Sequence, residues 1–197
     1  MDSDRLEQQI EFCREIDKEK LITRQTYRSD GSSRENDAEH AWHMAIMTIL
    51  LSEYANEEID VLKTVTMLLI HDLVEIDAGD TYAYDEEGKK TQKERELKAA
   101  DRIFALLPED QGQYFRSLWD EFEEQKTKEA KFARTMDNFQ PMMLNDLTGG
   151  KSWRERGVKL EQILGRNRHT AEGSEILWDY AKKHFLEHNV EAGNIRK

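Results

Sequence analysis

Residues 71–80 read His-Asp-Leu-Val-Glu-Ile-Asp-Ala-Gly-Asp, and the apolar run Val65-Thr66-Met67-Leu68-Leu69-Ile70 leads into them. A histidine and a carboxylate thus close a segment composed for a protein core. Burying an unpaired charge is costly, so such groups are usually paired or bound to a metal. On a regular helix, residues i, i+1 and i+4 fall within roughly 100° of one another. His71, Asp72 and Glu75 can then face one pocket. Imidazole nitrogen and carboxylate oxygen together suit Mn²⁺, Fe²⁺, Co²⁺, Ni²⁺ or Zn²⁺. Two ligands from one helix end do not complete a site. His40, at the start of another apolar stretch, and Asp137, between Phe132, Met136 and Phe139, are the candidates for the rest. A lone His-Asp pair is as readily structural, and Asp137 has an alternative partner in Arg134, three residues earlier.

The elements that must position these residues read as helices. Only Pro108 and Pro141 interrupt long stretches of Glu, Lys, Leu, Ala and Met, and runs of alternating β-branched residues are few. Residues 3–20 carry Leu6, Ile10, Phe12, Cys13 and Ile16 among charges and read as an amphipathic helix. Residues 26–36 are rich in Ser, Gly, Asp and Asn and read as a loop. Asp37 is placed to cap a helix that holds His40 and runs to Tyr54. A further helix, from about Ile59 to Ile76, carries the His-Asp pair near its end, and Gly79 stops it. Residues 85–93 read as a charged loop before a helix over about 92–107. Pro108 opens the next, which holds Tyr114, Phe115, Leu118, Trp119 and Phe122, with Phe115, Trp119 and Phe122 at core or dimer-contact positions. Another begins near Lys128 and passes Pro141 with a kink. Gly149-Gly150 is a turn. Residues 153–164 and 172–189 are further helices, and residues 189–197 are expected to fray.

Composition narrows the function. A chain of 197 residues fits one domain, with 145–197 as a C-terminal helical extension on its core. The net charge of −12 argues against binding polymeric nucleic acid, while a small phosphorylated ligand needs only a local positive pocket. The single cysteine, Cys13, excludes an internal disulfide and a Cys-rich zinc site; it reads as a small buried residue. The acidic start, Met1-Asp2-Ser3-Asp4, shows no signal peptide, and no apolar run is long enough to span a bilayer. A cytoplasmic protein is expected. His43, one turn after His40, reads as a pocket-lining residue. His169, His184 and His188 sit in polar surroundings and read as surface residues.

Taken together, Arg24 within Lys20–Arg24, the Arg34-Glu35-Asn36-Asp37-Ala38-Glu39-His40 segment, His71 to Asp80, and Ala130 to Asp137 resemble the HD-domain metal-dependent phosphohydrolases. Within these, the chain is similar to the 5′-deoxynucleotidase branch. The resemblance implies a compact all-α helical bundle with one divalent metal held by His40, His71, Asp72 and Asp137. It implies Glu75 and Asp80 as catalytic acids handling the attacking water and the leaving group, and Arg24 as the substrate-phosphate contact. Mg²⁺ joins the candidate ions on the same ground. A homodimer acting on a nucleoside 5′-monophosphate is the implied assembly and substrate. One position departs: where the family pattern has a tryptophan after the arginine, this chain has Gln25, which can hydrogen-bond a 2′-hydroxyl. Two rival readings remain open. One is a phosphohydrolase for another ester, such as a cyclic or hyperphosphorylated nucleotide. The other is a non-catalytic, metal-bound nucleotide sensor.

Overall fold

The computed structural model describes residues 3–197, Glu86 by its backbone alone; Met1 and Asp2 of the acidic start lie outside the described residues. Helices dominate, with one small sheet. Helix α1 (Ser3–Ile16) runs into a 3₁₀ turn (Asp17–Leu21). Cys13 on α1 is exposed, not buried as expected, because the helix turns only a narrow stripe inward. Two strands follow, β1 (Thr23–Tyr27) and β2 (Arg34–Asn36), paired antiparallel. They take over both ends of the loop read over 26–36 and leave 28–33 as the turn between them. Between the paired positions β1 advances from Thr23 to Tyr27 while β2 moves only from Asn36 to Arg34. Such a bulge bends a strand and re-aims its side chains, and Arg24 and Gln25 both line the main cavity.

Helix α2 (Asp37–Leu51) is capped by Asn36, not Asp37. Asn36 Oδ1 accepts the Glu39 N–H at 2.9 Å, and Glu39 Oε2 accepts the Asn36 N–H at 3.0 Å. This reciprocal cap leaves Asp37 in the first turn, buried and available to Arg24. Helix α3 (Val61–Ile70) begins at the Asp60 cap and stops short of the Ile76 end expected. His71–Val74 form a 3₁₀ turn, and the short α4 (Glu75–Ala78) follows. Side chains cause the break. His71 Nδ1 takes the Leu68 carbonyl at 2.8 Å, and Trp119 Nε1 takes the His71 carbonyl at 3.1 Å. The His71 carbonyl is thereby drawn from the regular helical ladder, and the Glu75 N–H bonds the Asp72 and Leu73 carbonyls instead. The angular reckoning for an unbroken helix therefore does not apply to His71, Asp72 and Glu75. Gly79, at φ 74°, turns the chain out of α4.

Helix α5 (Glu86–Phe104) starts earlier than the 92–107 range, because Asp85 Oδ1 accepts the N–H groups of Glu87 and Gly88 at 3.1 and 3.0 Å. The charged segment read as a loop is its first turns. Helix α6 (Glu109–Glu124) follows Pro108, and α7 (Lys128–Leu147) starts at the Thr127 cap and contains Pro141. Beyond the Gly149-Gly150 turn come α8 (Lys151–Arg156), α9 (Leu160–Arg166), α10 (Thr170–Gly173), α11 (Glu175–Ala181) and, after a π turn, α12 (Glu187–Glu191). Gly157, at φ 61°, splits the helix expected over 153–164. Ser174 caps α11 and so divides the one expected over 172–189. Residues 189–197 do not fray: Asn189 and Ile195 are buried, and Arg196 exchanges backbone hydrogen bonds with Val158 and Leu160 at 3.0 and 2.8 Å.

Met44, Met67, Leu68, Phe122, Phe132 and Met136 are fully buried where α2, α3, α6 and α7 meet. Trp119 joins this core, as its spacing predicts. Helix α10 lies directly on α7: a Cβ at Gly173 would stand 2.4 Å from the Lys131 carbonyl oxygen. Only glycine permits that approach. Among the described residues no helix is long and apolar enough to cross a membrane.

Candidate metal centre

Three elements bring the four expected ligands together. His40 comes from α2, His71 and Asp72 from the 3₁₀ turn, and Asp137 from α7. His40, His71 and Asp72 each offer one ligand atom, and these lie within 4.8 Å of one another. Asp137 Oδ1 stands 3.3 Å from His40 Nε2 and 3.7 Å from His71 Nε2. All four side chains are buried.

Both imidazoles are held by their far nitrogens. His71 Nδ1 donates to the Leu68 carbonyl, and His40 Nδ1 stands 2.9 Å from Gln140 Oε1. The Nε2 atoms are thus turned toward the carboxylates. His71 Nε2 is buried, finds no hydrogen bond of good geometry, and stands 3.0 Å from Asp72 Oδ2. A neutral imidazole in that orientation sets a lone pair against carboxylate oxygens. A cation resolves the conflict, so the donor set fits a divalent metal. A proton does so less completely. Burial alone would lower the His71 pKa, but Asp72 and Asp137 outweigh it and hold it well above the ordinary value. His40 goes the other way: burial and then the Arg24 charge bring it down to about 4, against Asp137. Burial works to raise the pKa of Asp72 and Asp137, but the neighbouring histidines and arginines hold both below the usual carboxylate range.

Arg24 packs on the Asp72 side of the centre. Its Nη1 donates to Asp37 Oδ1 at 3.0 Å and Asp72 Oδ2 at 2.7 Å, and its Nε is 3.9 Å from Glu35. Glu75 and Asp80 line the same cavity, of about 1090 Å³, along with Arg24, His71, Asp72 and Asp137. Neither forms a side-chain hydrogen bond with a described residue, and Glu75 Oε2 is buried without a partner. Burial, with Asp72 and Asp37 adding to it, pushes the Glu75 carboxyl up to about 11. Burial raises Asp80 as well. Gln25 lines the cavity with its Oε1 engaged by Arg34 and Arg156.

Several contributors escaped the sequence reading. Gln140 is fully buried; a lone amide between Phe139 and Pro141-Met142 was the available signal. Glu35 and Asp37 carry Arg24, and burial brings each carboxyl up to about 7. Phe122 packs edge-on to His71 at 4.9 Å. The Arg134–Asp137 pair exists, at 2.9 Å, on Oδ2, the oxygen turned away from the histidines. His43 meets Gln140 at 3.2 Å. His188 pairs with Asp146 and His184 stacks on Tyr180, away from the centre.

Comparison with known proteins agrees with this geometry. The HD-domain family model matches residues 16–178. The 5′-deoxynucleotidase HDDC2 of Homo sapiens is 30% identical over 129 residues, which cover 65% of this chain and 62% of that protein. The Bos taurus protein of the same name is 32% identical over 104 residues, 52% of this chain and 49% of its own. The chain thus spans between about half and 62% of the length of these relatives. The crystal structure of a predicted metal-dependent phosphohydrolase from Magnetospirillum magnetotacticum MS-1 superposes with a TM-score of 0.94 at 44% identity, covering 98% of this chain and 97% of that one. The sequence match over 16–178, together with the convergence of the histidines and aspartates from three elements, shows that the chain belongs to the HD-domain family.

Proposed function

We propose that the protein is a metal-dependent phosphohydrolase that removes the 5′-phosphate from ribo- or deoxyribonucleoside 5′-monophosphates. The observation that carries the reading is the meeting of His71, Asp72 and Asp137, in the wall of a cavity that also holds Arg24, Glu75 and Asp80, with His40 buried directly behind them. One divalent ion would be held by those four side chains, with Mn²⁺, Co²⁺, Fe²⁺, Ni²⁺, Zn²⁺ and Mg²⁺ as candidates. Bound there, it would polarise a phosphoryl oxygen and acidify a water.

The chain's own residues supply the rest. Arg24 presents a guanidinium matched to phosphate oxygens. Glu75 and Asp80, neither spent on a hydrogen bond, are available to take the water's proton and to give one to the departing sugar oxygen. Trp119, Phe122, Met142 and Trp153 are among the residues that line the cavity. The homologues named as 5′-deoxynucleotidases support the choice of substrate.

A homodimer belongs to the same reading. Trp42, Ile46, Ile49 and Leu50 on α2 and Leu62 and Leu69 on α3 are all exposed. Contiguous apolar faces of this kind mark interaction sites. The cytoplasmic setting expected from the single cysteine is part of the proposal too.

The test is a phosphate-release screen of ribo- and deoxyribonucleotides with Mn²⁺, Co²⁺ and Mg²⁺. Release from 5′-monophosphates supports the reading; release from phosphodiesters alone rejects it.

A further inference from the structure

We propose that Arg166, at the end of α9, is a second guanidinium for the substrate phosphate, an assignment that rests on the phosphohydrolase reading above. Four arginines line the cavity, and three of them, Arg24, Arg134 and Arg166, stand within 4 Å of Asp72 or Asp137. Arg24 is partly committed. Its Nη1 serves Asp37 and Asp72, its Nε lies 3.9 Å from Glu35 without a hydrogen bond, and its side chain is only 15% exposed. Arg134 is committed as well. It donates to Asp137 Oδ2 at 2.9 Å, approaches Glu123 at 3.5 Å, and lies 4.4 Å over the Phe122 ring.

Arg166 differs from both. It makes no side-chain hydrogen bond with any described residue. Its one ion contact is Nη2 to Asp137 Oδ2 at 3.6 Å, beyond hydrogen-bonding distance, on an oxygen that Arg134 already serves. Its side chain is 40% exposed. A full set of guanidinium donors therefore stands unspent at the cavity wall, beside a carboxylate whose other oxygen reaches both histidines.

Charge explains why the site needs it. A phosphate monoester dianion must enter a cavity lined by the carboxylates of Asp72, Asp80 and Asp137. The Arg24 charge is largely answered by Asp37 and Asp72. Arg166 adds a positive charge on the Asp137 side, with a planar fork suited to two phosphate oxygens. The C-terminal segment thus contributes a substrate-binding residue as well as structure.

Arg166→Gln tests the assignment, with Arg168→Gln as control, since Arg168 lines the same cavity but donates to His169 at 2.8 Å. Binding of inorganic orthophosphate to the manganese-loaded protein is measured by calorimetry, alongside kcat and KM. Arg166→Gln should weaken orthophosphate binding by about 10-fold or more and lower kcat/KM by about 100-fold, the range for losing a charged, bidentate contact. Guanidinium ion at tens of millimolar should restore part of the activity of Arg166→Ala. Arg168→Gln should change neither quantity by more than about threefold. Unchanged orthophosphate affinity in Arg166→Gln, or an equal loss in Arg168→Gln, overturns the proposal. If orthophosphate binding depends on Arg166 while the wild type releases phosphate from no monoester, the anion site stands and the phosphohydrolase reading fails.

Discussion

Gln140 Oε1 accepts the Nδ1 proton of His40 at 2.9 Å, and this pair decides which imidazole nitrogen faces the aspartates. The direction is forced. Gln140 Nε2 donates to Glu35 Oε2 at 2.9 Å and faces His43 Nδ1 at 3.2 Å, so the amide oxygen is the end left for His40. A hydrogen bond at the far nitrogen fixes tautomer and ring orientation and commonly governs metal affinity. Gln140 lies one turn beyond Asp137 on α7, so one helix both supplies a carboxylate and orients the opposing histidine.

Replacing that amide should therefore act on metal binding. Gln140→Leu is expected to weaken Mn²⁺ or Co²⁺ binding by about 10–100-fold. It should also cost about 1–3 kcal/mol of stability, because it strands buried groups on His40 and Glu35. Calorimetric titration of metal into wild type and variant, with thermal melts of both metal-free proteins, checks this. Equal metal affinities would remove Gln140 from the account.

Glu75 should act on turnover, not on assembly of the site. Glu75→Gln is expected to lower kcat by about 10²–10⁴, the usual range for a general acid or base, with metal content preserved. It should not destabilise the metal-free protein at neutral pH, since the carboxyl is already pushed up to about 11 and holds its proton there. Equal turnover in wild type and variant, with equal nucleotide binding, would favour the sensor reading.

The metal-free protein should lose stability as pH rises toward neutrality. Burial brings Glu19, Glu35 and Asp37 each up to about 7. A folded-state pKa raised above the unfolded value gives a contribution fully present below the unfolded pKa. It fades as pH climbs through about 7. Glu19→Gln removes one such group, so it should raise the metal-free melting temperature at pH 8 and leave it nearly unchanged at pH 4. Melts across that range decide the matter, and a gain of the same size at both ends would contradict the assignment. Bound metal should reduce the decline in the wild type.

Two further variants, one of them double, test assembly and packing. Trp42→Arg together with Leu62→Glu should convert a dimer to monomers in analytical ultracentrifugation without changing the melting temperature of the monomer; a monomeric wild type would dismiss the dimer. Gly173→Ala should cost about 1–3 kcal/mol by overpacking, because the added methyl would meet the Lys131 carbonyl and Thr135 Oγ1, each at 2.4 Å. Denaturant titration measures that loss.

Helical character, the dominant apolar runs and the ligand types were legible in the amino-acid order, because those follow from local periodicity and residue chemistry. Pro141 within α7, the Gly149-Gly150 turn and the inward stripe of Trp119 and Phe122 were legible for that reason. Tertiary structure alone decided the rest. The 3₁₀ turn at His71 arises because Trp119, remote in sequence, takes a backbone carbonyl from the helix. Asn36 caps α2 through a local pattern with Glu39, but the pairing of the freed Asp37 with Arg24 joins separate elements. The last residues are pinned by a bridge to Lys159 that no local pattern encodes. Arg166 stands 3.6 Å from Asp137 only because the chain beyond α8 returns to the centre. Each of these depends on partners far apart along the chain, and the energies that select them exist only once the helices have packed.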